Sequence, residues 1–192
     1  MNGFYQEHST DNDILEIVDA LDNVVGTARR GKIHEKGLLH RAVHVFVFDG
    51  KGRVFVQRRS AAKDRFPGVL DSSAAGHVDP GESYEAAAVR ELREELGLSL
   101  SVSEVLRVEA GPLTDQEHVV LFEAVTHDEP VLNPEEIQSG EFHEPERLST
   151  MMANMPWDFV PAFVHLWEIY REIDGRKVIV GCELDLKPPE VV

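Results

Sequence analysis

An α/β fold is what this sequence predicts, and three observations carry the expectation. Runs rich in Val and Phe, such as Arg41 to Phe48 and His118 to Thr126, alternate as strands do. A capped amphipathic segment from about Ser83 to Leu96 has helical spacing. A second helical segment with an aromatic stripe lies near the end. Strands, a helix, more strands and a closing helix make an α/β domain.

In chain order, Ile14 to Asp19 reads as a strand, and Asp22-Asn23 turns it into Val24 to Ala28, a hairpin. Arg29, Arg30 and Lys32 follow, and a short connector is flanked by His34 and His40, which read as surface polarity. Arg41 to Phe48 is a core strand. Asp49-Gly50-Lys51-Gly52 then turns the chain into Arg53 to Arg58, its antiparallel partner. Arg58 to Arg65 is the most basic segment, readable as a solvated loop or as a phosphate clamp. Phe66 to Asp71 leads into Ser72-Ser73-Ala74-Ala75-Gly76, small residues that let backbone approach closely.

Ser83 suits an N-cap and Gly97 the residue just past a helix end, so a helix should join them. Glu91, Glu94 and Glu95 share one face, kept low and open by Ala87. Val89, Leu92 and Leu96 fall on a face spaced for burial. Ser101 to Glu109 is the next strand, Gly111-Pro112 a break and His118 to Thr126 another strand. A turn at Asn133 to Ile137, a short strand around Phe142 and a short helix from Glu144 to Met152 follow. Pro156 to about Ile173 is the second long helix, its Phe159, Phe163, Leu166, Trp167 and Tyr170 forming a core stripe. The domain is expected over residues 13–175, with a flexible start at 1–12 and an extension at 176–192.

The length of 192 residues suffices for a proper core, and no apolar run approaches the ~18 residues of a membrane span. The start carries no signal-like pattern, and Cys182 is the single cysteine, so a reducing cytoplasm is the expected location. A net charge of −16 repels nucleic acid polymers and anionic membranes. A small phosphorylated partner is compatible with it, provided that cations are supplied locally.

Three carboxylates on one helical turn repel one another, and a hard divalent cation held by oxygen ligands is the simplest compensation. Magnesium suits such a set, and manganese also fits. The alternative is a solvated acidic face, as on most helices with Glu runs.

The surrounding spacing favours the cation. Gly76, Glu82, Arg90, Glu91, Leu92, Glu94, Glu95, Gly97 and Leu98 fill every fixed position of the Nudix box. From average residue usage such a match arises by chance in far less than ~one in a million starts. The chain therefore resembles the Nudix family, which implies a mixed sheet sandwiched between helices and a loop–helix–loop site. The resemblance implies Glu91, Glu94 and Glu95 as ligands of Mg²⁺, Arg90 as their orienting residue, and Gly76 and Glu82 as supports. It also implies a further ligand or base outside the box, for which Glu117 is the candidate and Asp115 a weaker one. Pairing into a homodimer is left open.

From about residue 34 to 170, the chain is similar to the subgroup around isopentenyl-diphosphate isomerase, through Leu39-His40-Arg41-Ala42, Gln57-Arg58-Arg59, Lys63, Phe66-Pro67-Gly68 and Pro156-Trp157. That similarity implies that Arg59 and Lys63 hold a diphosphate. It matches His40, His77 and Glu117 to metal ligands, although a structural role for the two His residues is equally open. Two departures oppose the isomerase. Ala75 stands where its catalytic Cys belongs, and no Tyr lies between Tyr84 and Tyr170. The complete acidic box instead implies a hydrolase of a diphosphate linkage in a small soluble molecule, foremost a nucleoside di- or triphosphate. Isomerisation of a prenyl diphosphate and a non-catalytic ligand sensor are the alternatives.

Overall fold

The computed structural model describes residues 12–179. The expected fraying of the first residues, the far end of the apolar run at Val180 and Cys182 lie outside the described residues.

Strands β1 (Ile14–Val18) and β2 (Val24–Arg29) form an antiparallel ribbon. Its turn is closed by the Asp19 carboxylate, which accepts from the backbone N–H groups of Leu21 and Asn23 at 2.9 Å each. Arg41 binds this ribbon to the main sheet, donating to Asp22 Oδ1 at 2.6 Å and Glu16 Oε2 at 3.0 Å.

Where a connector was expected, a short helix forms instead, α1 (Arg30–Lys36). Seven residues hold a single buried apolar side chain, Ile33, so no apolar period marks the helix in the sequence. Gly37, at φ 59°, ends it.

The central strand is β3 (His40–Asp49). Ahead in the chain, β8 (Glu117–Thr126) lies parallel to it, in register from His40 opposite Glu117 to Asp49 opposite Thr126. On the far side of β8, β7 (Ser103–Val108) runs antiparallel. β3 is covered on both faces, which is why Val43, Val45, Phe46 and Val47 are all buried.

β4 (Val54–Arg59) departs from the expected hairpin. It meets β3 only at Phe48 and Val54, beside the turn, and then pairs with β9 (Ile137–His143) and the short β5 (Leu70–Asp71). β6 (Ala74–His77) takes the vacated edge of β3. The Ser73 side chain explains the parting. Its hydroxyl accepts from Val47 N–H at 2.8 Å and donates to the Phe55 carbonyl at 2.6 Å, standing between two backbones that would otherwise bond directly.

Residues of β3 alternate between two apolar layers. Ala42 and Phe46 join Val119 and Leu121 under helices α3 (Pro145–Asn154) and α4 (Pro161–Ile179). Val43, Val45 and Val47 join Val120 and Phe122 under α2 (Tyr84–Leu96). The result is a mixed sheet between helical layers, an α/β/α sandwich.

α2 begins and ends as its caps dictate: Ser83 Oγ accepts from Ala86 N–H at 3.2 Å, and Gly97 is left-handed at φ 64°. Its faces differ from expectation. Ala88 rather than Val89 is buried with Leu92 and Leu96, and Ala87, Glu91 and Glu95 are buried too. The acidic face is turned inward rather than open, with Glu94 at its outer edge. α4 starts at Pro161 and not at Pro156, because Phe159 is extended and Val160, which precedes a proline, is disfavoured in a helix. Pro156–Asp158 is a separate 3₁₀ turn, and Phe159 bridges to Leu70. At its far end α4 continues through Asp174-Gly175 to Ile179.

Leu92 locks α2 to the sheet. Leu92→Ala should lower unfolding free energy by about 2–5 kcal/mol in urea denaturation. A loss within error of zero would mean that this face is not the one that seats the helix.

Candidate functional site

A cleft of ≈ 490 Å³ opens where β3 and β4 part, lined by residues of β3, β4, β6, α2 and the segment before β8. Gly76 on β6 faces α2 so closely that a Cβ there would stand 2.0 Å from Glu91 Oε1. Only the missing side chain leaves room for that carboxylate. Glu95 accepts from Gln57 Nε2 at 2.9 Å, and Gln57 also donates to the Ser73 carbonyl at 3.3 Å. Glu94 extends from the rim, about half exposed.

Arg90 organises these acids. It donates to Glu91 Oε1 at 2.6 Å and Glu94 Oε2 at 3.3 Å, to both Glu82 oxygens at 3.1 and 2.9 Å, and to the His77 carbonyl at 2.9 Å. One guanidinium thus ties the loop that carries Glu82 to the helix that carries Glu91 and Glu94. Burial, with Glu91 close by, pushes the Glu95 carboxyl up to about 8, and burial also raises Glu91 against the pull of Arg90. The neighbouring Lys63 is lowered, burial outweighing the attraction of Glu95. Carboxylates that burial disfavours as anions gain most from a nearby cation.

A second group of donors converges beside them. Among the described residues, one donor atom from each of His34, His40, His77 and Glu117 lies within 4.8 Å of the others. Four segments supply them: α1, the start of β3, the end of β6 and the start of β8. The parallel register sets His40 opposite Glu117, and both imidazoles of His40 and His77 approach Glu117 Oε1, at 3.3 and 3.2 Å. Burial would raise Glu117, but these two rings hold it well below the usual carboxylate range, while burial lowers His77. An ionised carboxylate and a neutral imidazole are the forms that ligate metals.

The donor set fits a divalent cation. Both ring nitrogens of His34 and Nε2 of His40 are buried without a hydrogen-bond partner. His40 Nδ1 lies 2.9 Å from the Leu38 carbonyl, which only accepts, so Nδ1 carries its hydrogen and Nε2 is left for the cation. Imidazole-rich sites suit transition metals better than magnesium.

The residues expected from sequence to act on substrate or metal reach the cleft except Glu82, which stands behind Arg90, and His40, which is buried beneath the lining. Arg59 is held by Asp71 at 2.8 Å and by the Arg65 carbonyl, and Lys63 is paired with Glu136. Asp115 bonds Arg65 at 2.6 Å and stands 3.4 Å from His34 Nδ1, so it buttresses the rim. His34 was read as surface polarity; with α1 unforeseen, nothing tied it to His40. His44 also lines the cleft and was passed over as one more position of a core strand.

A family model described as NUDIX domain matches residues 38–163. An isopentenyl-diphosphate Delta-isomerase of Photorhabdus laumondii is 35% identical over 150 residues, spanning 76% of this chain and 85% of that protein. An uncharacterized Nudix hydrolase of Yersinia pestis is 35% identical over 158 residues, spanning 80% of this chain and 84% of its own length. Among solved structures, one from Deinococcus radiodurans is 32% identical with a TM-score of 0.70, covering 83% of this chain and 98% of its own.

The raised Glu95 has a sign that can be measured. Native protein holds a proton that the unfolded chain releases at the ordinary value of 4.5, so its stabilising effect is complete below that pH and lost as pH rises through about 8. In a chelator, the wild type should therefore lose stability between about pH 4.5 and 8 by denaturant midpoint, and Glu95→Gln should flatten that slope. An equal slope in both proteins would contradict the assignment.

Proposed function

The chain belongs to the NUDIX family as a Nudix hydrolase, and from that premise we propose that it cleaves a diphosphate linkage in a small phosphorylated molecule with the help of Mg²⁺. A nucleoside di- or triphosphate is the leading substrate. One observation carries the reading: the complete box set, with Glu91 and Glu94 clamped by Arg90 and Glu91 seated against Gly76, stands beside Ala75, which has no thiol.

Glu91, Glu94 and Glu95 would hold Mg²⁺, or Mn²⁺ in its place. When bound, such a cation neutralises a diphosphate and lowers the pKa of an attacking water. His34, His40, His77 and Glu117 would hold a second divalent cation, which assigns Glu117 to ligation at that centre. Arg90 keeps the box carboxylates oriented. Arg59 and Lys63 would exchange their present partners, Asp71 and Glu136, for the phosphate oxygens.

Isomerisation of a prenyl diphosphate is a second reading, favoured by the histidine cluster. Against it, neither cysteine nor tyrosine is among the described residues that line the cleft. Tyr84 donates to Asp22 and Tyr170 to Glu123, both away from it. Among the described residues no helix is long and apolar enough to cross a membrane. A small phosphorylated partner fits the acidic chain because Arg30, Arg59, Lys63 and Arg65 supply cations in the cleft, and a cytoplasmic setting is part of the same reading.

The protein should be incubated with Mg²⁺ and a panel of nucleotides, nucleotide sugars and isopentenyl diphosphate. Hydrolysis of a nucleotide is expected, lowered roughly a hundredfold or more in Glu94→Gln. Isomerised product would establish the second reading, and binding without turnover would make the domain a sensor. Replacing both Arg59 and Lys63 by Ala should raise KM for the substrate about tenfold or more while metal affinity stays constant. An unchanged KM would return the basic segment to solvated surface.

A further inference from the structure

His44 stands on the same face of β3 as His40, four positions on and about 13 Å along the strand. His77 of the cluster is nearer, level with Ala42 and about 7 Å along the strand. The ring is buried and lines the cleft. Its Nδ1 is 2.7 Å from Ser72 Oγ, which reaches in turn the Ala74 carbonyl at 3.3 Å and Asp71 Oδ1 at 3.4 Å. Asp71 is fixed from its other side by Arg59 at 2.8 Å and from within by Ser72 N–H at 2.8 Å. The relay Arg59–Asp71–Ser72–His44 sets the plane of the imidazole. The other ring nitrogen, Nε2, has no partner among the described residues.

Small and apolar residues make up part of the wall around it, beside the charged Arg59, Asp71 and Glu117. Ala42 and Ala75 flank it on the sheet, and Val160, Pro161 and Ala162 line the same cleft, brought in by the 2.9 Å bond from Val160 N–H to the Leu70 carbonyl. A polar atom that keeps one fixed direction in such surroundings is a recognition element, because a ligand that cannot pair with it leaves it buried and unsatisfied. Burial lowers the His44 pKa, so the ring meets its ligand uncharged.

We propose that His44 Nε2 accepts a hydrogen bond from a hydroxyl of the substrate's organic portion. The cleft then takes a diphosphate ester of a hydroxylated group, such as a nucleoside, and discriminates against one that bears a hydrocarbon chain. This deepens the diphosphate reading above and rests on it. His44 is a specificity residue: it touches the substrate away from the scissile bond.

Two variants separate the contact from a structural role. Asn in place of His44 keeps a polar atom near Nδ1 for Ser72 and removes Nε2, whereas Gln places its amide near Nε2. Binding is measured calorimetrically with Mg²⁺ for a nucleoside α,β-methylene diphosphate, inorganic pyrophosphate and isopentenyl diphosphate. His44→Asn should bind the nucleoside analogue about tenfold or more weakly and pyrophosphate as wild type does, and His44→Gln should retain most of the affinity. The proposal is overturned if His44→Asn binds the analogue normally, if pyrophosphate binding falls in parallel, or if the wild type prefers isopentenyl diphosphate. Because the analogue is not hydrolysed at its bridge, a wild-type protein that binds it but turns over no nucleotide would refute the hydrolase reading alone.

Discussion

The hydroxyl of Ser73 decides the architecture around the cleft. Two adjacent strands joined by a tight Asp-Gly turn would ordinarily zip together along their length. Here one buried side chain satisfies a donor on β3 and an acceptor on β4, and so replaces a backbone bond with a spacer at no cost in unpaired groups. β4 is freed to build a second ladder with β9, and β6 gains an edge of β3 on which to place Gly76 and His77. The same residue's carbonyl shares the Gln57 amide with Glu95, so the spacer and the deepest acid of the site are linked through one side chain.

Charge in the cleft is arranged against the protein's own comfort. Glu91 and Glu95 are buried close to one another, and burial raises both. Both ring nitrogens of His34 and Nε2 of His40 are buried without a hydrogen bond among the described residues, with the Asp115 and Glu117 carboxylates near them. Folded proteins rarely tolerate such groups unless something outside the chain completes them. The box offers oxygen donors and the neighbouring group offers mostly imidazoles, ligand types of different hardness. The overall acidity of the chain is no obstacle, since Arg59, Lys63, Arg65 and Arg30 all line this same cleft.

What could be read in advance followed from local rules. The caps at Ser83 and Gly97, the alternation of β3 and β8 and the aromatic stripe of α4 need only near neighbours to specify them. The box carboxylates were readable because their spacing is a recognisable pattern. The remainder depended on distant partners. That β4 abandons β3 is decided by Ser73, well after the hairpin. α1 has one buried apolar residue and no period to betray it. His34 and His44 acquire meaning only once β3, β6 and β8 are laid side by side. The inward turn of the acidic face, with Ala87 beneath it, was likewise a matter of what α2 packs against.

The histidine–carboxylate centre draws its donors from positions 34, 40, 77 and 117. Two of them, His40 and Glu117, meet through a parallel pairing, which a chain forms slowly because a long loop must close first. The centre therefore exists only where β8 lies beside β3 in this register. A slip of one residue in that register would turn Glu117 to the opposite face and leave the imidazoles without their acid. A cation held there would favour the aligned register over a slipped one, because only the aligned sheet offers it the full donor set.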